Sequence, residues 1–137
     1  MKKTPMPSLE LKKLIQKIFK ETVENIQATE LLYTQYFSKE YTQCVDGVSL
    51  NYEAFVAHMK MQKEALKSLK IVFHEMIAEG GKVATFHTVY ATRKDVKKVE
   101  VQVIALFELR DGKVISCNEL TRLVKGEESD RDIGSRH

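Results

Sequence analysis

Cysteine is nearly absent from this sequence, and its scarcity is the first constraint on what the protein can be. Cys44 and Cys117 are the only two, too few for a disulfide framework, so reduced thiols in a cytoplasmic protein are expected. Long apolar runs are missing as well, and nothing approaches the ~20 consecutive apolar residues that span a bilayer. Met-Lys-Lys-Thr-Pro-Met-Pro at the start is basic, but no apolar segment follows it, which is not the pattern of a secretory signal. The charge balance is slight, at +3. Lys2, Lys3, Lys12, Lys13, Lys17 and Lys20 face only Glu10 among the first twenty residues. A nucleic-acid groove needs aromatic rings interleaved with such a stripe. Here the lysines alternate with apolar helix positions and read as a solvated face. No nucleic-acid or membrane partner is therefore expected. A nucleotide-cradling loop, a nucleophile motif and metal-ligand spacing are all lacking, which argues against most other enzyme classes. No internal repeat or low-complexity segment is found.

What remains is ordinary globular material: 137 residues, 43% hydrophobic and 30% charged, enough for one domain with a real core. The pattern predicts one α+β domain over residues 1–124 and a polar tail over 125–137, whose only aliphatic residue is Ile133. After a leader ending at Pro5 and Pro7, Ser8 is placed to cap a helix whose apolar face is Leu11, Leu14, Ile15 and Ile18. Val23, Ile26, Tyr33 and Phe37 continue at near-helical intervals, as one kinked helix or two, with Thr22 and Thr29 as candidate breaks. Tyr41–Val45 reads as a short strand ending at the turn dipeptide Asp46-Gly47. Asn51 is a good cap for a further helix with Phe55, Met59, Gln62, Leu66 and Leu69 on its inner side.

Three turn signals then divide an alternating apolar stretch into a long meander. Gly80-Gly81 and Asp111-Gly112 are hairpin dipeptides, and Arg93-Lys94-Asp95 is a looser polar connection. Strands are expected over Lys70–Glu79, Lys82–Thr92, Val99–Arg110 and Lys113–Val124. If Gly80-Gly81 centres a two- or four-residue loop, His74 lies opposite His87, on one sheet face with Val72, Met76, Thr85 and Val89. A type I′ turn at Asp111-Gly112 puts Ile104, Leu106, Ile115, Cys117, Glu119 and Thr121 on one face of the second hairpin. Both faces of that hairpin are apolar near the middle, so each must be covered. A helix layer on one side and a partner subunit on the other would suffice.

The segment "HEMIAEGGKVATFHTVYA" followed by "VIALFELRDGKVISCNEL" resembles the SnoaL-like branch of the nuclear transport factor 2-like superfamily. The likeness spans roughly Leu9 to Val124 and rests on element order, spacing and the "EGGKVA" and "LRDGKV" turns. It implies a cone: a curved antiparallel sheet closed by about three N-terminal helices, commonly holding an apolar ligand. The superfamily includes ketosteroid isomerases, limonene epoxide hydrolases, polyketide cyclases, dehydratases and non-enzymes, so the fold does not carry a function across. Its hydrolase branch places polar catalytic side chains at positions matching His87 and Val89, and an acid at Glu119. Val89 stands where an acid is needed, which argues against epoxide hydrolysis. The isomerase pattern would need Asp46 as the base, with Tyr33 or Tyr36 imitating a tyrosine donor.

On this reading His74, His87, Cys117 and Glu119 share the interior of the cone, with Glu119 as general acid or base and the two histidines tuning it. Tyr33, Phe37, Tyr41, His58, Met76, Thr85, Val89, Leu106 and Cys117 are expected to line the pocket. A carboxyl group in an apolar cavity is desolvated and suits proton transfer near neutrality. Abstraction of a proton beside a carbonyl, or an aldol-type closure, needs neither metal nor cofactor, and none is expected. Two histidines and a carboxylate could instead hold a divalent cation, although no helical ligand motif supports it. Cys117 beside Glu119 is a poor nucleophile. The expected ligand is a small apolar organic molecule, and the expected assembly is a homodimer. Plainer readings stand beside these. His74–His87 can be a cross-strand pair at the rim, Glu119–Arg122 a salt bridge, and His58 a half-buried helix residue. Arg131, Asp132 and Arg136 could pair across a dimer. The alternative function is a non-catalytic homodimeric module with its cone filled by its own side chains.

Overall fold

In the computed structural model, which describes residues 6–130, three helices lie against one six-stranded curved sheet. The helices are α1 (Ser8–Ile18), α2 (Glu30–Tyr36) and α3 (Tyr52–Glu64). The strands are β1 (Phe37–Val45), β2 (Val48–Asn51), β3 (Leu66–Glu79), β4 (Lys82–Arg93), β5 (Lys98–Arg110) and β6 (Lys113–Lys125). They run in the spatial order β2-β1-β6-β5-β4-β3. All neighbouring pairs are antiparallel except β1 and β6, which are parallel. The sheet is therefore mixed, where a wholly antiparallel one was predicted, and β2 had no counterpart in the sequence reading. The expectations for Ile133 and for Arg131, Asp132 and Arg136 lie outside the described residues.

Local chemistry explains the element ends. Gly80, Gly81, Asp111 and Gly112 all have positive φ, as tight hairpins between twisted strands require. Asn51 caps α3, its side chain accepting from the Ala54 amide at 2.9 Å. Ser8 does not cap α1. Pro7 holds that position, and the Ser8 hydroxyl donates to the Ala78 carbonyl at 2.8 Å, tying the helix to β3.

Between α1 and α2 the chain is neither one kinked helix nor two simple ones. Phe19–Glu24 form a π-helical turn, and Thr29 precedes α2 in extended conformation. The carbonyl of Thr22 then accepts from the Lys63 ammonium and from the Tyr33 hydroxyl. Lys63 also donates to the Asn25 carbonyl at 2.9 Å and to the Tyr33 oxygen at 2.6 Å. A buried lysine thus ties off the break with three oxygen acceptors. Nearby, Glu24 accepts the Ile71 amide at 2.7 Å. That satisfies one donor on the sheet's edge strand, where unpaired amides invite association.

The core lies between the helices and the concave face of the sheet. Leu11, Ile15 and Ile18 of α1, Phe55 and Met59 of α3, and Val83, Val101, Val103, Phe107 and Val114 of the strands are buried in it. Phe37, Tyr41 and Phe55 stack mutually with ring centroids 4.9 Å apart. Beyond β6, Asp130 is buried and pairs with Arg93 at 3.2 Å, anchoring the start of the polar tail to the β4–β5 connection.

Candidate functional site

Two β-bulges decide which side chains look inward. In β3, Phe73 pairs with His87 and Glu75 with Phe86, so His74 is the extra residue. A bulge of this kind puts two successive side chains on one side. His74 therefore leaves the concave face. It is exposed, its Nε2 lies 2.7 Å from the Thr88 hydroxyl, and its ring lies 4.9 Å from Phe86. The expected His74–His87 pairing is corrected on this point. In β6 the extra residue is Ile115, between Val114, which pairs with Leu109, and Ser116, which pairs with Glu108. This shift moves Leu106 to the outer face, where it pairs with Asn118 and is 47% exposed. Leu106 is not a lining residue of the concave face.

The same registers bring the remaining candidates together. Met76, Thr85, Ala105, Glu119 and Val45 form one row across β3, β4, β5, β6 and β1. The next row is Phe73, His87, Val103 and Thr121. On its other side lie Val83, Phe107, Cys117 and Gln43. Thr85, His87, Val89, Gln43, Cys117 and Glu119 are all buried. With strands spaced about 4.8 Å apart and residues about 3.4 Å apart along them, His87 and Glu119 lie two strands across and two residues along from each other, about 12 Å apart between backbones. The short side chain of Ala105 lies between Thr85 and Glu119.

Each polar group there has a defined setting. His87 is 1% exposed. Its Nδ1 is 2.8 Å from the Thr85 hydroxyl, and the Phe19 ring of the π-helical turn packs edge-on against it at 5.3 Å. Burial, and then the charge of His74, push its pKa down to about 4. The imidazole is accordingly neutral at pH 7. Cys117 donates to the Glu119 carboxylate at 3.2 Å, and Tyr41 donates to the Gln43 oxygen at 3.0 Å. Burial drives the Cys117 thiol well above its usual range, with Glu119 adding to the effect. A thiol so placed is no nucleophile. Tyr41 is raised for the same reasons, burial first and then Cys117 and Glu119.

Other assignments resolve on geometry. Tyr33 packs on Phe37 and Phe55, but its hydroxyl is committed to Lys63 and the Thr22 carbonyl. Tyr36 donates to Glu21. Neither is a spare donor of the isomerase kind. Asp46 is held in the β1–β2 turn, accepting both the amide and the hydroxyl of Thr121, so it is no candidate base. Arg122 donates to Gln102 at 3.2 Å, on the face opposite Glu119, so the Glu119–Arg122 bridge does not form. His58 is half-buried on α3. With His74 and His87 on opposite faces, the two-histidine, one-carboxylate set is not assembled. Gln43 and Lys63 were missed by the sequence reading; each is a polar residue inside an apolar pattern, the one signal that could have found them. A cleft of about 650 Å³ opens beside Met6, Leu14, Gly81 and Arg110 at the hairpin end of the sheet. It contains none of the candidate side chains.

Comparison with known proteins agrees with this architecture. The family model of the SnoaL-like domain matches residues 33–117. The chain belongs to the SnoaL-like family. An uncharacterised protein of Schizosaccharomyces pombe is 32% identical to this SnoaL-like chain over 100 residues, covering 73% of the chain and 77% of the relative. Among solved structures, a candidate SnoaL-like polyketide cyclase from a Jannaschia species superposes with a TM-score of 0.72 at 16% identity. It covers 88% of this chain and 90% of its own. An LEH-like epoxide hydrolase of M. tuberculosis gives a TM-score of 0.70 at 14% identity, covering 84% of each chain. A nuclear transport factor 2-like protein of unknown function from an Exiguobacterium gives 0.67 at 16%, covering 80% and 98%. These superpositions show a shared nuclear transport factor 2-like fold.

Proposed function

We propose that this SnoaL-like chain binds a small, largely apolar organic molecule against the concave face and moves a proton within it. The observation that carries the reading is a buried carboxylate, Glu119, on the same apolar face as the neutral imidazole of His87. Glu119 acts as the general base or acid. His87 serves as a neutral hydrogen-bonding group that polarises the substrate, and the small Ala105 sits beside Glu119 in the row next to that of His87. Proton abstraction beside a carbonyl fits this pair, because both partners are shielded from water and neither needs a metal. His74 has no direct part in this chemistry. Its charge acts on His87 from the other side of the sheet.

The test is hydrogen–deuterium exchange beside the carbonyl of a panel of cyclic ketones in D2O, followed by NMR. We expect exchange catalysed by the wild-type protein and abolished by Glu119→Gln, with an unchanged melting temperature. Catalysed exchange that survives in Glu119→Gln overturns the assignment. A second reading has its own observation. Ile77, Ile104, Leu106 and Leu120 are exposed on the outer sheet face, an apolar patch suited to a second copy of the chain. A homodimer through that face is compatible with catalysis, and equally with a non-catalytic module. The two free thiols, Cys44 opposite Asn118 and Cys117 opposite Gln43, project to opposite faces and fit a reducing, cytoplasmic setting.

A further inference from the structure

The inner stripe running from α3 into β3 is Phe55, Met59, Gln62 and Leu66, all buried, and one of the four is an amide. Gln62 is only 6% exposed. Its Oε1 and Nε2 are both shut off from solvent and neither has a hydrogen-bond partner, the only buried side-chain atoms in that condition among the described residues. The next residue shows the contrast. Lys63 is just as buried, yet its Nζ reaches three oxygens. Native interiors pair nearly all their buried polar atoms, and an exception calls for a reason. A methionine would fill the Gln62 position with no unpaired atoms, so the amide costs stability that packing does not return.

Resting on the small-molecule reading above, we infer that Gln62 is the specificity-determining contact for the ligand, recognising a neutral end group that both donates and accepts a hydrogen bond. A hydroxyl or a carboxamide has that property. A carboxylate would satisfy Nε2 and set an acceptor against Oε1, whereas an ammonium would do the reverse. Only a group carrying both functions pairs both atoms of the amide. The ligand is thus an apolar body with one neutral hydroxyl or carboxamide terminus.

Four small aromatic probes test this: benzyl alcohol, benzamide, toluene and benzoate, each titrated at pH 7 into wild type and Gln62→Met and followed by amide chemical shifts. We expect wild type to prefer benzyl alcohol and benzamide over toluene and benzoate by about tenfold, because a polar site rejects an analogue that leaves it unpaired. Gln62→Met should lose that preference, and without ligand should melt at or above the wild-type temperature. A preference that is absent in wild type, or retained in the variant, overturns the inference. So does a variant that melts several degrees lower, since the amide would then be satisfied in the free protein. If no probe binds wild type at all, the small-molecule reading falls with it, which is a different result from binding without preference.

Discussion

Acid should destabilise this protein through one residue. His87 ionises at about 6.5 when unfolded, but burial holds it back to about 4 in the folded state. Between those values the unfolded chain takes up a proton that the folded chain refuses. The contribution of His87 to stability is therefore complete above pH 6.5 and declines as the pH falls toward 4. The shift of roughly two and a half pH units corresponds to about 3 kcal/mol in all, of which about 2 kcal/mol is gone by pH 5. At 1% exposure there is no solvent screening to reduce that figure. Urea unfolding, followed by circular dichroism at pH 7, 6 and 5, measures the loss directly. The control is His87→Phe, which keeps an aromatic ring against Phe19 and Phe73 and cannot titrate. Its stability should be nearly level over the same range. Parallel losses in both proteins would refute the reasoning, because the acid-sensitive group would then lie elsewhere.

Lys63→Met should cost about 1–3 kcal/mol, since the buried Thr22 carbonyl and Tyr33 hydroxyl lose the ammonium donor that Lys63 supplies and methionine offers none; a denaturant midpoint gives the number. Burial also lowers the Lys63 pKa to about 8, below its unfolded value. Wild type should gain stability as the pH rises from about 8 toward 10.5, and the variant should not. On the outer face, Leu106→Asp should convert a dimer to a monomer in sedimentation experiments without altering the circular dichroism spectrum. A wild-type protein that sediments as a monomer at millimolar concentration would remove the outer-face interface from the proposal.

The strands were legible because their turns carry chemistry. Gly80-Gly81 and Asp111-Gly112 are demanded by positive φ, and each of the four meander strands came within a few residues of its observed limits. The bulges were not legible. His74 and Ile115 each add one residue to an otherwise regular alternation, and such an insertion has no compositional mark, yet it reverses every side chain beyond it. Hence Cys117 and Glu119 were placed together correctly, while Leu106 was set beside them and His74 beside His87 in error. Asn51 was recognisable as a cap because its backbone need is local. The Lys63 cluster was not, because its acceptors sit some forty residues earlier in the chain and are freed only by a π-helical turn. The β1–β6 pairing was hidden for the same reason: no local pattern announces a partner so distant.

That pairing also bears on how the protein comes into being. Gln43 and Val45 meet Cys117 and Glu119 only when the earliest long strand docks on the last, the most sequence-distant contact in the sheet. Closing so long a loop is entropically expensive and is expected late in folding. A chain emerging from the ribosome can form β3 and β4 as a local hairpin, but β1 must wait for β6. During that interval β1 can pack on α3 through Phe55 but has no sheet partner other than β2, and the acid at Glu119 has not yet been made. Assembly of the concave face and completion of the fold are thus a single event.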